Sequence, residues 1–197
     1  MRPNFAQDAP PTELSVGGKL YPIDTDFRTW LGVGPLMREL LPEVETKDDM
    51  QHNLDILVEL EKTIFGGWLE DESISDVLDA ISGFYAGYPS APIRPEKNAE
   101  EGISFEYDLN EIIIAIQDQH HVDLSWRRTE PMHWWEFLLL FRTLSGDHYI
   151  LNLNELRTYK GKDKEMLRRK SHVALPKVKS AKERKLMDEI NAEVFGA

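Results

Sequence analysis

Read from its N-terminus, the chain first shows an apolar period of two. In Leu14-Ser15-Val16-Gly17-Gly18-Lys19-Leu20-Tyr21-Pro22-Ile23 apolar residues alternate on both sides of Gly17-Gly18, which predicts a small β-hairpin with a primed turn. An isolated hairpin is marginal in water, so it must pack on something else. The period then lengthens. Phe27, Trp30, Leu31, Leu36, Leu40 and Leu41 form one helical stripe behind the capping oxygens of Asp24-Thr25-Asp26. Gly32, Gly34 and Pro35 predict a kink or an early stop near Gly34, because a proline ring clashes with a continuing helix. Asp48-Asp49 opens a cleaner helix with Met50, Leu54, Leu57, Val58, Ile64 and Phe65 on one side and Gly66-Gly67 as its stop. Ser73 or Ser75 caps a third, carrying Ile74, Val77, Leu78, Ile81, Phe84, Tyr85 and Tyr88 and closed by Pro89.

Residues 89–102 hold Pro89, Pro92 and Pro95 among small and charged residues, the composition of a long loop that can separate two helical halves. Phe105, Leu109, Ile112, Ile113 and Ile116 form the next helical stripe, ending near His120-His121. Thr129-Glu130-Pro131 reads as an N-cap followed by a first-turn proline, leading into a run from Met132 to Phe141 that is apolar on nearly every face. Such a helix should be central and buried on several sides. Short basic helices follow, from Leu151 to Tyr159 and from Lys162 to Val173, ending at Leu175-Pro176. Finally Leu186, Ile190 and Val194 fall four residues apart with Met187 beside them. A stripe so narrow seals little core, so these four residues either dock onto a partner or another copy of the chain, or pack back on their own domain.

The pattern therefore predicts a mostly α protein with a short N-terminal hairpin and a basic, helical C-terminal extension. Residues 1–13, Pro-rich and without periodicity, are expected to be disordered; 14–176 form one helical domain, and 177–197 an amphipathic extension. The 197 residues are 41% apolar, enough to bury a core without staples. No cysteine is present, which removes disulfides, thiolate nucleophiles and zinc-thiolate sites together and suits a reducing compartment. With no apolar signal segment and no run of about 20 apolar residues, the chain is expected in the cytoplasm and not in a membrane.

Charge changes this picture. The whole chain carries -12, which argues against a nucleic-acid binder. Yet from Arg157 to Lys185 there are 12 Lys or Arg against 3 Asp or Glu, a local +9, so the remainder carries -21. The strip can reach a nucleic acid, an acidic partner or the chain's own acidic body, of which the last is favoured over nucleic acid.

Candidate chemistry is sparse. His120-His121 with Asp118, Asp123 and His133 is the cluster with metal-ligand residue types, but adjacent histidines face different sides of a helix and no i, i+4 pair is present. A histidine meeting the dipole at a helix C-terminus is the better account, so no metal or cofactor is expected. His133 and Glu136 one turn apart invite an acid-base reading, against which Trp134 and Trp135 read as core. Asp24-Thr25-Asp26 is explained by capping. No phosphate loop, nucleophile elbow or His-Glu-x-x-His pattern occurs. Protein binding without catalysis is the expectation, with a metal- or histidine-dependent enzyme and a nucleic-acid-linked role of 157–185 as alternatives.

Three stretches occur in a fixed order: Val16 to Trp30 (Val-Gly-Gly-Lys-Leu-Tyr-Pro-Ile-Asp-Thr-Asp-Phe-Arg-Thr-Trp), Met132-His133-Trp134-Trp135-Glu136-Phe137, and Leu156-Arg157-Thr158-Tyr159-Lys160 followed by Ala174-Leu175-Pro176. Together they resemble the bacteriophage "gene product fifteen" family of tailed phages and prophages, over about Val16 to Pro176. The resemblance implies a tail assembly chaperone or similar morphogenesis factor, with the tape-measure protein as client and other tail proteins as further partners; another copy of the chain is a partner suggested by the C-terminal stripe alone. It implies no catalytic residues. Tyr21, Phe27, Trp30, Trp134, Trp135 and Phe137 carry over as core positions. Residues beyond Pro176 lie outside the likeness.

Overall fold

The computed structural model describes residues 8–87 and 102–176. In chain order these form β1 (Glu13–Val16), β2 (Lys19–Pro22), α1 (Phe27–Glu39), α2 (Lys47–Phe65), α3 (Ile74–Tyr85), α4 (Leu109–His120), α5 (Trp134–Arg142), α6 (Tyr149–Arg157) and α7 (Lys164–Val173). The protein is thus mostly helical with an N-terminal antiparallel hairpin. The described residues group by their contacts into two units, one containing residues 9–86 and the other residues 8, 87 and 102–176. The boundary falls beside the Pro-rich stretch 89–102, of which Gly102 alone is among the described residues, as are only residues 8–13 of the N-terminal segment. The extension 177–197, with Leu186, Met187, Ile190 and Val194, lies outside them.

In the N-terminal unit, Gly17 and Gly18 take φ values of 56° and 86°, the positive angles that a primed two-residue turn needs. The register pairs Leu14 with Tyr21 and Val16 with Lys19, so these four share a face, and Leu14 and Val16 are buried where β1 packs on α3. Leu20, opposite Ser15, is on the other face and 65% exposed. The chain leaves β2 tied to α2, since Asp24 N–H donates to the Ile64 carbonyl at 2.8 Å.

Of the kink or early stop expected near Gly34, the stop does not occur, for α1 runs through Pro35 to Glu39. Proline removes one hydrogen bond, but Phe27, Trp30, Val33 and Gly34 are all buried on the continuing helix. Trp30 lies on Phe84 with ring centroids 4.3 Å apart, and Gly34, lacking a Cβ, lets the Tyr85 hydroxyl pack against its backbone. Leu40 is already extended, so Leu41 reaches the core from a loop, not from the helix. The Asn53 amide holds it there by accepting from Leu41 N–H at 2.8 Å and donating to its carbonyl at 3.0 Å.

Helix α2 begins with a capping box in which Thr46 and Asp49 satisfy each other's backbone N–H groups, and it ends at left-handed Gly66, close to prediction. Its buried apolar residues are Ile56, Leu57, Leu60 and Ile64. Met50, predicted on this side, is exposed, because the packed apolar face starts two turns further on. Ser73 caps α3, which buries Val77, Ile81 and Phe84 and leaves Ile74 exposed in its first turn.

In the C-terminal unit, Phe105 stands in the turn before α4 and not on the helix itself. From there its ring meets Trp134, Phe137 and Phe141 at centroid distances of 5.8, 5.7 and 5.2 Å. Helix α5 starts later than predicted. Its N-cap is His133, whose Nδ1 accepts the Trp135 N–H at 3.0 Å, so Thr129-Glu130-Pro131 remains in the preceding loop. With nine residues, α5 buries Trp134, Phe137 and Leu138 and exposes Leu139; it is packed on one side and is not enclosed. Helix α6 buries Ile150 and Leu153 and packs against α4, while α7 packs against α6 with none of its residues buried. No helix among the described residues is long and apolar enough to cross a membrane.

Candidate interaction site

The histidines named by the sequence are not brought together. His121 sits in the left-handed C-cap of α4, and His120 Nε2 lies 3.1 Å from the Leu140 carbonyl near the end of α5. His133 is at the other end of that helix, about 10 Å away along its axis. No group of three or more His, Asp or Glu among the described residues is arranged to hold a metal ion.

What gathers around His120 is a polar junction. Gln119 donates to the Thr143 carbonyl and accepts the Ser145 N–H, both at 2.8 Å, and its Oε1 lies 3.2 Å from His148 Nε2. These bonds close the turn between α5 and α6 against the end of α4, so the residues do structural work. Asp123 likewise accepts the Ser125 N–H, which holds its carboxyl below the ordinary range. Glu136 is exposed on α5. Asp26 accepts the Arg28 N–H at 2.9 Å and Asp24 the Asp26 N–H at 2.8 Å, which is capping.

The basic strip divides. Arg157 is withdrawn from the surface: its guanidinium pairs with both oxygens of buried Asp108 at 2.6 and 3.0 Å and donates to the carbonyls of Gly102 and Val173. This geometry ties the start of α4 and the end of α7 to α6. Nothing local in the sequence signals it, since Asp108 and Arg157 stand 49 positions apart. Lys170 donates to the Tyr159 carbonyl at 3.1 Å, and Arg168 lies 3.5 Å from Glu165. The rest of the strip, from residue 177, is outside the described residues.

Because α7 leans on α6 without burying a residue, the two helices leave an open groove of about 760 Å³ between them. Leu153 and Leu156 of α6, Met166 and Val173 of α7 and the rings of Tyr149 and Tyr159 line it, with Arg169, His172 and Glu155 as its ionisable side chains. The sequence holds one trace of this: the apolar positions of α7 are too few to form a core face. Elsewhere large apolar side chains stand in water, among them Trp126 at 88% and Ile114 at 67% exposure. The Arg127 guanidinium lies 5.3 Å from the Trp126 ring centroid.

By class this is a mostly helical protein with a two-stranded antiparallel hairpin at the N-terminal end of its described residues. Comparison with known families makes this specific: the chain belongs to the family described as Bacteriophage Gp15 protein, whose match spans residues 7–183. It is accordingly a phage protein of the structural or morphogenesis kind. Of the core positions implied by the resemblance, Phe27, Trp30, Trp134 and Phe137 are buried, whereas Tyr21 and Trp135 are half-buried. Neither the curated proteins nor the solved structures yielded a match.

Proposed function

We propose that the chain is a tail assembly chaperone that binds the tape-measure protein in the host cytoplasm and keeps it soluble while tail-tube subunits polymerise around it. It works by covering apolar helical surface and not by covalent chemistry. The observation that carries this reading is the open, aliphatic and aromatic groove between α6 and α7 in a protein of this phage family. Exposed apolar patches mark interaction sites when they are large and bounded by polar residues. The acidic excess of the chain supplies the charge that keeps a holdase and its client from precipitating.

Co-expression tests the proposal. Segments of the tape-measure protein of the same phage, insoluble alone, are expected to remain in the supernatant and co-elute with this chain. No gain in solubility and no co-elution for any segment would sink it.

A further inference from the structure

We infer that the α6–α7 groove seats an amphipathic helix of a partner protein, two to three turns long, whose flanking carboxylates face the basic wall formed by α7. This deepens the chaperone reading and rests on it for the kind of partner. Three observations carry it.

The first is length. Helices of nine and ten residues give a groove about 15 Å long, which matches two to three helical turns. The second is lining: the aliphatic side chains of Leu153, Leu156, Met166 and Val173 suit an i, i+3, i+4 apolar stripe. The third is charge. From α7 the ionisable residues on the groove are Arg169 and His172, and Arg169 makes no ion pair or side-chain hydrogen bond among the described residues; Lys164, Arg168 and Lys170 elsewhere on the helix outnumber Glu165 and add to the positive field on this side. Glu155 on the opposite wall belongs to α6, so an incoming helix meets base on one side and acid on the other. That asymmetry favours a helix that can set its carboxylates along the edge facing Arg169 and keep them from Glu155, which a uniformly charged polyanion cannot do.

The test uses the full chain and three fluorescent probes, read by anisotropy. They are a Leu/Glu amphipathic peptide of about 12 residues, the same peptide with Lys for Glu, and a single-stranded thymidine oligonucleotide. The acidic peptide should saturate the chain and the lysine peptide should bind at least about tenfold more weakly. Arg169→Glu should weaken the acidic peptide at least about fivefold and narrow the gap between the two. Met166→Gln, on the opposite chemical feature of the groove, should weaken both peptides. No binding of the acidic peptide, equal binding of both, or indifference to Arg169→Glu overturns the inference. So does an oligonucleotide affinity that Arg169→Glu abolishes, which would hand the groove to nucleic acid. Circular dichroism of each variant checks the fold. Co-expression with the tape-measure segment separates the two proposals: failure of the wild-type chain sinks the chaperone reading, while wild-type success undiminished in Arg169→Glu sinks the groove alone.

Discussion

The two units hold their chains by different means. In residues 9–86 side chains repair the backbone over short distances: Asp26 caps two residues on, Asp49 closes over Thr46, Glu61 accepts the Leu69 N–H at 2.6 Å, and Asn53 spans twelve positions to Leu41. Each bond completes an element next to itself. In the other unit one guanidinium joins places 16, 49 and 55 residues away. Glu72, which binds Tyr21 of β2 from 51 positions away and Lys19 of the same strand, is a long-range exception among the described residues of the first unit. Local repairs can fail one at a time, whereas a shared charged anchor fails in three segments at once.

The largest expected effect follows from that contrast. Arg157→Met leaves Asp108 buried without its cation and should cost about 3–5 kcal/mol in chemical denaturation. Amide exchange should accelerate together at 102–108, in α6 and at the end of α7. A loss below about 1 kcal/mol would erase the distinction between the units. Thr46→Ala, which removes half of a capping box, should cost about 1–2 kcal/mol, with exchange rising only in the first turn of α2. Gly17→Ala should cost about 1–2 kcal/mol, since φ there is 56° and the new Cβ would meet the Glu72 carboxylate.

Two glutamates of the N-terminal unit should respond to pH in opposite directions. Burial raises the Glu61 carboxyl above its ordinary value of 4.5. Its contribution is therefore full below that value and is lost as pH rises through the raised one. Glu72 is lowered, first by the Tyr21 hydroxyl and then by Lys19, so its contribution is present above 4.5 and lost as pH falls. Denaturation midpoints from about pH 3 to pH 7 should show Glu61→Gln gaining on the wild type toward neutrality and Tyr21→Phe losing less of its stability in acid. The same slope for both variants would contradict the assignment. The smallest effect belongs to the groove: Arg169→Glu should change stability by no more than about 0.5 kcal/mol, so that any binding defect is separable from folding.

Much of this architecture could be read in advance where the signal was local. The hairpin rests on two adjacent glycines, which reach positive φ without steric cost, and on an alternation that leaves one register able to bury Leu14 and Val16. Helices α2 and α3 start and stop at caps made by neighbours within three or four residues. The family resemblance was legible for a related reason: its anchors include buried aromatic residues, Trp30 and Trp134, at fixed places in the order of elements.

Other features were decided only when the chain packed. Pro35 argues for a kink or a stop, yet α1 continues to Glu39; Trp30, Val33 and Gly34 are buried in the turns just before the proline, and the one backbone bond it removes does not end the helix. His133 displaced Thr129 as the cap of α5, since its imidazole could reach the Trp135 N–H. Met50 and Ile74 satisfy the helical period and still face water, whereas Leu41, off the helix, is buried. Arg157 reads as one more base in a charged strip and is an internal anchor; the α6–α7 groove has no sequence motif at all. Propensity and capping act across a few residues and are written in the chain. Burial, ion pairing and the shape of a groove depend on partners tens of positions away, and only the folded arrangement brings them within reach.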